Sequence, residues 1–252
     1  MKKIRLAACI LALVFLFAGC MPSDATSTFD PENVRFLQYE EILPNDEVAV
    51  VTTTVGTVYI RLFPDEAPKT VAHFKKLAEE GFYNDQLIFA QKENMTLISG
   101  SADDSGGSGK LVTDDGKPLQ PEVTANLWHF SGAVSVFGYQ ENRFSGKYLA
   151  DSRFFILGDV APTSDMANEM LDCGFPEEVI EKYKEEGGFP QFTGAYTVFG
   201  HVYEGMDVIN ELTQMQTTGE WNALKDAKIE KIEISTYKAE EAKKAAAEGT
   251  DE

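Results

Sequence analysis

Apolar positions divide residues 48–234 into eight short β-rich runs, at 48–54, 57–63, 87–90, 96–99, 132–137, 153–157, 196–202 and 229–234. These runs are rich in Val, Ile, Thr and aromatic residues, and most are bounded by Gly or Asp. Two stretches change period. After Pro68, the residues Val71, Phe74, Leu77 and Ala78 fall on one helical face. Asp65 and Glu66 stand near the positive N-terminal end of that helix, and Gly81 is a natural stop. After Gly205, the residues Met206, Val208, Ile209 and Leu212 form a second apolar face. Many short strands with two helices predict a closed antiparallel barrel, because closure removes exposed strand edges.

The pattern shifts again between Leu157 and Phe192. Residues 164–171 and 176–186 read as helical, the second with Pro at its start, acids in its first turn and Gly187-Gly188 beyond its end. A helical insert at 158–191 therefore interrupts two β-runs and is expected as a surface excursion or lid. About 190 residues of globular composition, 45–237, suit one domain.

The ends differ from this middle. Lys2, Lys3 and Arg5 precede an apolar run over 6–18 that stops at Gly19-Cys20. A basic start, a short apolar core and small residues describe a secretory signal over 1–20, too short to be a membrane span. Ala18-Gly19-Cys20 resembles the lipobox of bacterial lipoproteins, which implies that Cys20 is acylated and becomes the mature N-terminus, with Phe17 where Leu is usual. An ordinary cleaved signal with a chance cysteine is the alternative. Residues 21–44 read as a flexible tether, and 238–252 as a charged tail with no large apolar residue, able to extend as a loose helix but not to bury a core.

Charge narrows the function classes. The chain carries 22 Lys and Arg against 41 Asp and Glu, a net of −19, and residues 1–20 hold three of the bases and none of the acids. Nonspecific attraction to nucleic acid or anionic lipid is disfavoured. Of three cysteines, Cys9 leaves with the signal and Cys20 carries lipid, so Cys173 has no intramolecular disulfide partner and no cysteine metal site forms. Gly106-Gly107-Ser108-Gly109-Lys110 lacks the spacing of a phosphate loop. Asp103, Asp104, Asp114 and Asp115 lack calcium-loop spacing. His73, His129 and His201 have no mutual ligand spacing and are expected at the surface or as satisfied core residues.

Three segments in order, LFPDEAPKTVAHFKKLAEEGFYN from Leu62, SRFFILG at 152–158 and YTVFGHVYEGMDVINEL at 196–212, resemble the cyclophilin-type peptidyl-prolyl isomerases. The resemblance implies a mostly β fold, an eight-stranded antiparallel barrel capped by two helices, with a proline-binding groove on its outer face. Such chemistry needs no metal or cofactor. Rotation about an X–Pro bond meets a barrier near ~20 kcal/mol because amide resonance must break. An apolar pocket holds the ring, and a cationic donor near the proline nitrogen favours the twisted state.

The family donor is the arginine of a Phe-His-Arg triplet. The matching triplet here is Phe89-Ala90-Gln91, so a neutral Gln91 takes the donor's place. The next family stretch, which supplies pocket residues, matches Thr96, Leu97 and Ser99. Phe155 keeps the family pocket phenylalanine, Phe192 lies beside the groove tryptophan position, and Tyr196 stands where many members have His. The glutamine that precedes the two family phenylalanines is Arg153 here. Because that glutamine lies beside the catalytic arginine in the family, Arg153 is a candidate for a guanidinium supplied from another strand. The alternative is that Arg153 points to solvent or pairs with Asp151. The expected site is thus Arg153 and Gln91 for polarisation, with Phe89, Leu97, Ser99, Phe155, Phe192 and Tyr196 for substrate. The expected partners are proline-containing segments of secreted or envelope proteins, met outside the cytoplasm by a domain lipid-anchored to a bacterial cell membrane. A noncatalytic proline-peptide or protein-binding module is the alternative function, and a generic holdase a third.

Overall fold

The computed structural model describes residues 34–91, 96–101, 112–113, 116–140, 148–217 and 223–248. All eight predicted runs are strands: β1 (Glu47–Thr53), β2 (Thr57–Leu62), β3 (Gln86–Gln91), β4 (Thr96–Ser99), β5 (Ala133–Gln140), β6 (Tyr148–Leu157), β7 (Val198–Glu204) and β8 (Ala223–Thr236). They close into an antiparallel barrel in the order β1-β2-β7-β5-β6-β4-β3-β8. The apolar side chains that alternate inward, among them Val58, Ile60, Leu97, Phe154, Ile156 and Phe199, fill the interior.

Two helices plug this interior, as the periodicity predicts. Val71, Phe74, Leu77 and Ala78 of α1 (Pro68–Glu79) and Ile209 and Leu212 of α4 (Met206–Gln214) are buried in the same cluster. Phe74 meets Tyr83, Phe154 and Phe199 with ring centroids 5.1–5.4 Å apart. The N-cap residue of α1, Ala67, has no side chain able to cap. Glu122, far along the chain, supplies the acceptor. Its carboxylate takes the Lys69 and Thr70 N–H groups at 3.1 and 2.9 Å and the Thr70 hydroxyl at 2.8 Å. A carboxylate suits this place because the helix leaves N–H groups unpaired at its positive end.

The insert forms α2 (Ser164–Asp172) and α3 (Glu177–Glu186). The Thr163 hydroxyl caps α2 by accepting from the Met166 N–H. The two helices have a core of their own, in which Met170, Phe175, Val179, Ile180 and Tyr183 pack on Trp128 and Phe130.

Residues 34–44, expected as the end of a free tether, are packed on the domain. Val34 and Phe36 join the insert core, and Arg61 donates to the carbonyls of Leu37 and Glu40. Gln38 is buried. Its amide donates to the Trp128 carbonyl, contacts His201 Nδ1 at 3.0 Å and accepts from the Trp128 N–H. Polar burial here is fully hydrogen-bonded, which sequence patterning by itself does not reveal. Most of the expected C-terminal tail is helix α5 (Tyr237–Glu248), held to the barrel by Lys244, which pairs with Glu204 and sits 4.0 Å from the Tyr59 ring centre. Among the described residues, no helix is long and apolar enough to cross a membrane. Residues 1–20, including Cys20, lie outside the described residues.

Candidate active site on the outer barrel face

Strand alternation sends one set of side chains inward and the other to the outer wall. Register aligns the outer set into a transverse row. Phe89 on β3 pairs with Ile98 on β4, Ile98 with Phe155 on β6, Phe155 with Ser135 on β5, and Ser135 with Val198 on β7. Phe89, Ile98, Phe155 and Val198 belong to one apolar cluster, separate from the barrel interior, together with Leu127 and Phe189.

Aromatic rings dominate its centre. Phe155, Phe192 and Tyr196 meet edge to face, with centroids 5.2–5.6 Å apart and interplanar angles of 73–86°. Phe189 stacks on Phe192 at 5.1 Å. These separations lie in the favourable range for aromatic pairs. As a result Phe155 is only 2% exposed.

His129 lies in the same cluster. Its ring runs nearly parallel to Phe155, at 6.3 Å and 16°, and meets the edges of Phe192 and Tyr196. It is buried, and neither ring nitrogen has a hydrogen-bond partner among the described residues. Burial lowers its pKa from 6.5 to about 3, so the imidazole is neutral. It was expected at the surface or satisfied in the core; it is buried and unsatisfied. The detectable signal is the alternation Leu127-Trp128-His129-Phe130. Leu127 and His129 face the outer cluster, while Trp128 and Phe130 face the insert core. A cavity of about 10 Å³ touches His129, Tyr196, Thr193 and Glu122.

Arg153 lies two residues before Phe155 on β6 and is buried, 6% exposed. Its Nε and Nη2 donate to the two oxygens of Asp151 at 2.9 and 2.8 Å, and its own N–H donates to Asp151 at 3.0 Å. The register shift between Val136 and Gly138 sets Phe137 beside it, with the guanidinium carbon 5.2 Å from the ring centre. Gly100 closes the other side. A Cβ there would lie 2.4 Å from the Ser152 carbonyl oxygen and 3.2 Å from the Arg153 Cα, and its φ of +86° also favours glycine. Solvent exposure of Arg153 is therefore excluded, and pairing with Asp151 is what the structure shows.

The remaining expected residues divide. Phe89, Phe155, Phe192 and Tyr196 come together on this face. Gln91 lies two residues beyond Phe89, paired with Thr96. Leu97 and Ser99 are not brought here. Leu97 is in the barrel interior, and Ser99 pairs with the interior residue Phe154 while its hydroxyl donates to the Leu87 carbonyl. The reason is register: the outward residue of β4 between them is Ile98, and a shift of one residue changes the face. Among the described residues no cluster of three His, Cys, Asp or Glu side chains could hold an ion.

The model of the cyclophilin type peptidyl-prolyl cis-trans isomerase family matches residues 48–234. A provisionally named peptidyl-prolyl cis-trans isomerase of Staphylococcus saprophyticus is 28% identical over 194 residues, covering 77% of this chain and 94% of that protein. A counterpart from Staphylococcus aureus is likewise 28% identical, over 195 residues and 95% of its length. Among solved structures, a Cryptosporidium parvum cyclophilin type isomerase crystallised in the presence of the dipeptide Ala-Pro superposes with a TM-score of 0.57 at 18% identity, covering 75% of this chain and 99% of that one.

Proposed function

The chain belongs to the cyclophilin-type peptidyl-prolyl cis-trans isomerase family, and from that premise we propose that its outer aromatic face binds proline-containing segments and isomerises them slowly. The observation that carries this reading is the Phe155, Phe192 and Tyr196 cluster beside Arg153 on one barrel face. The apolar cluster suits a proline ring. Arg153 is the cation nearest along the same strand, and the planar guanidinium keeps its charge when buried.

Two features lower the expected rate. Phe155 has almost no exposed surface, so contact with it requires Phe192 or Tyr196 to turn aside. Asp151 already occupies two guanidinium nitrogens and offsets the charge that would polarise the amide. A missing preorganised donor costs about 3–4 kcal/mol in comparable sites, or two to three decades in rate. The same two features favour a second reading, a proline-binding module without turnover.

NMR exchange on a short X-Pro peptide, with the chain from residue 21, separates these readings. The expected result is weak acceleration that Arg153→Ala abolishes and binding that Phe155→Ala abolishes. Binding without acceleration selects the module. Binding and exchange unchanged in both variants remove this face from the function.

The basic and apolar character of residues 1–20, ending in Ala18-Gly19-Cys20, supports lipid attachment at Cys20 on the outer side of a bacterial membrane. The clients are then secreted or envelope proteins whose slow folding steps include prolyl isomerisation. The chain made in a bacterial host should take up labelled fatty acid and the Cys20→Ser chain should not; no label in the parent, or equal label in both, would refute the anchor.

A further inference from the structure

The helical insert ends against the aromatic face, where two hydrogen bonds hold the His129 backbone and one ring stacks on the face. The Tyr183 hydroxyl on α3 accepts from the His129 N–H at 3.0 Å. The Phe189 N–H, just past the end of α3, donates to the His129 carbonyl at 2.8 Å. Both backbone polar groups of His129 are thus held by the insert, while its imidazole lies against Phe155. Between the two anchors, Gly188 packs so closely that a Cβ would lie 2.2 Å from the His129 carbonyl oxygen. Phe189 then stacks on Phe192, one of the two rings that cover Phe155.

We propose that the insert is a positioning element for the proline pocket, with Tyr183 as the positioning residue that sets His129 and, through it, the aromatic rings around Phe155. Tyr183 does not touch the pocket rings through its own ring, which packs on Phe130 at 4.5 Å on the other side of the segment. Its hydroxyl is the link. Without it, the buried His129 N–H loses its acceptor, and the segment moves to find another. A shift near 1 Å in a site of this kind is enough to change function strongly. This inference rests on the reading that the aromatic face takes proline.

Tyr183→Phe removes the hydroxyl and keeps the ring. Val179→Ala is the control: it truncates the core of the same helix and leaves both hydrogen bonds to His129 in place. Two readouts are taken on the full chain. The first is the aromatic ¹H–¹³C spectrum of the free protein; the second is the Kd for an Ala-Pro peptide. Tyr183→Phe should shift the Phe155, Phe192 and Tyr196 resonances and weaken binding ~10-fold, which corresponds to about 1.4 kcal/mol. Val179→Ala should lower Tm and leave both unchanged.

Pocket resonances that move no more in Tyr183→Phe than in Val179→Ala overturn the positioning role, whatever happens to binding. So does an unchanged Kd in Tyr183→Phe where the parent binds. Absence of peptide binding by the parent chain refutes the proline reading instead, and the resonance comparison still decides whether the insert sets the ring geometry.

Discussion

Asp151→Ala should be among the most damaging single substitutions in the barrel, because it strands a buried cation. Asp151 and Arg153 side chains are 3% and 7% exposed, and three hydrogen bonds join them, two from the guanidinium and one from the Arg153 N–H. The attraction between buried ions largely offsets their desolvation, so the pair adds little to stability relative to an apolar pair. Removing one partner is different, since the other keeps its desolvation penalty with nothing to offset it. That typically costs about 3–5 kcal/mol. Contact with the Phe137 ring recovers a fraction of this, about 0.5–2 kcal/mol. A domain has about 5–15 kcal/mol in total, so the loss is large but need not unfold the chain. Urea unfolding of the parent, Asp151→Ala, Arg153→Ala and the double variant measures it. The double variant should lose less than the sum of the singles, with a coupling of about 2–3 kcal/mol and unchanged m-values. A loss below about 1 kcal/mol in Asp151→Ala, the value of an exposed pair, would refute the reasoning and return Arg153 to the solvent.

Acid should destabilise the fold through two histidines. Burial lowers His129 from 6.5 to about 3, and burial together with the Arg61 charge lowers His201 from 6.5 to about 4. Above about pH 6.5 neither group affects the balance; as pH falls below it the unfolded chain binds protons that the native chain refuses, and each histidine removes about 1.4 kcal/mol per pH unit until its folded value is reached. His129→Phe should therefore flatten the loss of urea stability between about pH 6.5 and 4.5, and parallel curves for the two proteins would disprove it. Glu122→Ala should cost about 1 kcal/mol by uncapping α1, seen as a drop in Tm with faster amide exchange in the first turn of that helix; equal exchange would show that water replaces the carboxylate at no cost.

The site was partly legible in the sequence. Phe155, Phe192 and Tyr196, expected in one groove, do converge: Phe155 faces outward from β6, and the turn-rich segment before β7 lays Phe192 and Tyr196 over it. The Arg153–Asp151 pair was also readable, since residues two apart on a strand share a face. Leu97 and Ser99 failed for the same physical reason in reverse: their face depends on the register of β4 against β3 and β6, and motif matching missed it by one residue. His129 and Tyr183 carried no motif. Their roles come from contacts over 26 and 54 residues of chain.

Local patterning by itself determined the eight strands, the two plugging helices and the two insert helices, since period and caps act over a few residues. Only the tertiary structure decided that residues 34–44 lock onto the barrel through Gln38 and His201, that Glu122 caps a helix 52 residues away, and that the insert grips the backbone of His129. Those bonds join groups distant in sequence, and burial makes each polar group require a partner that only the closed barrel brings within reach.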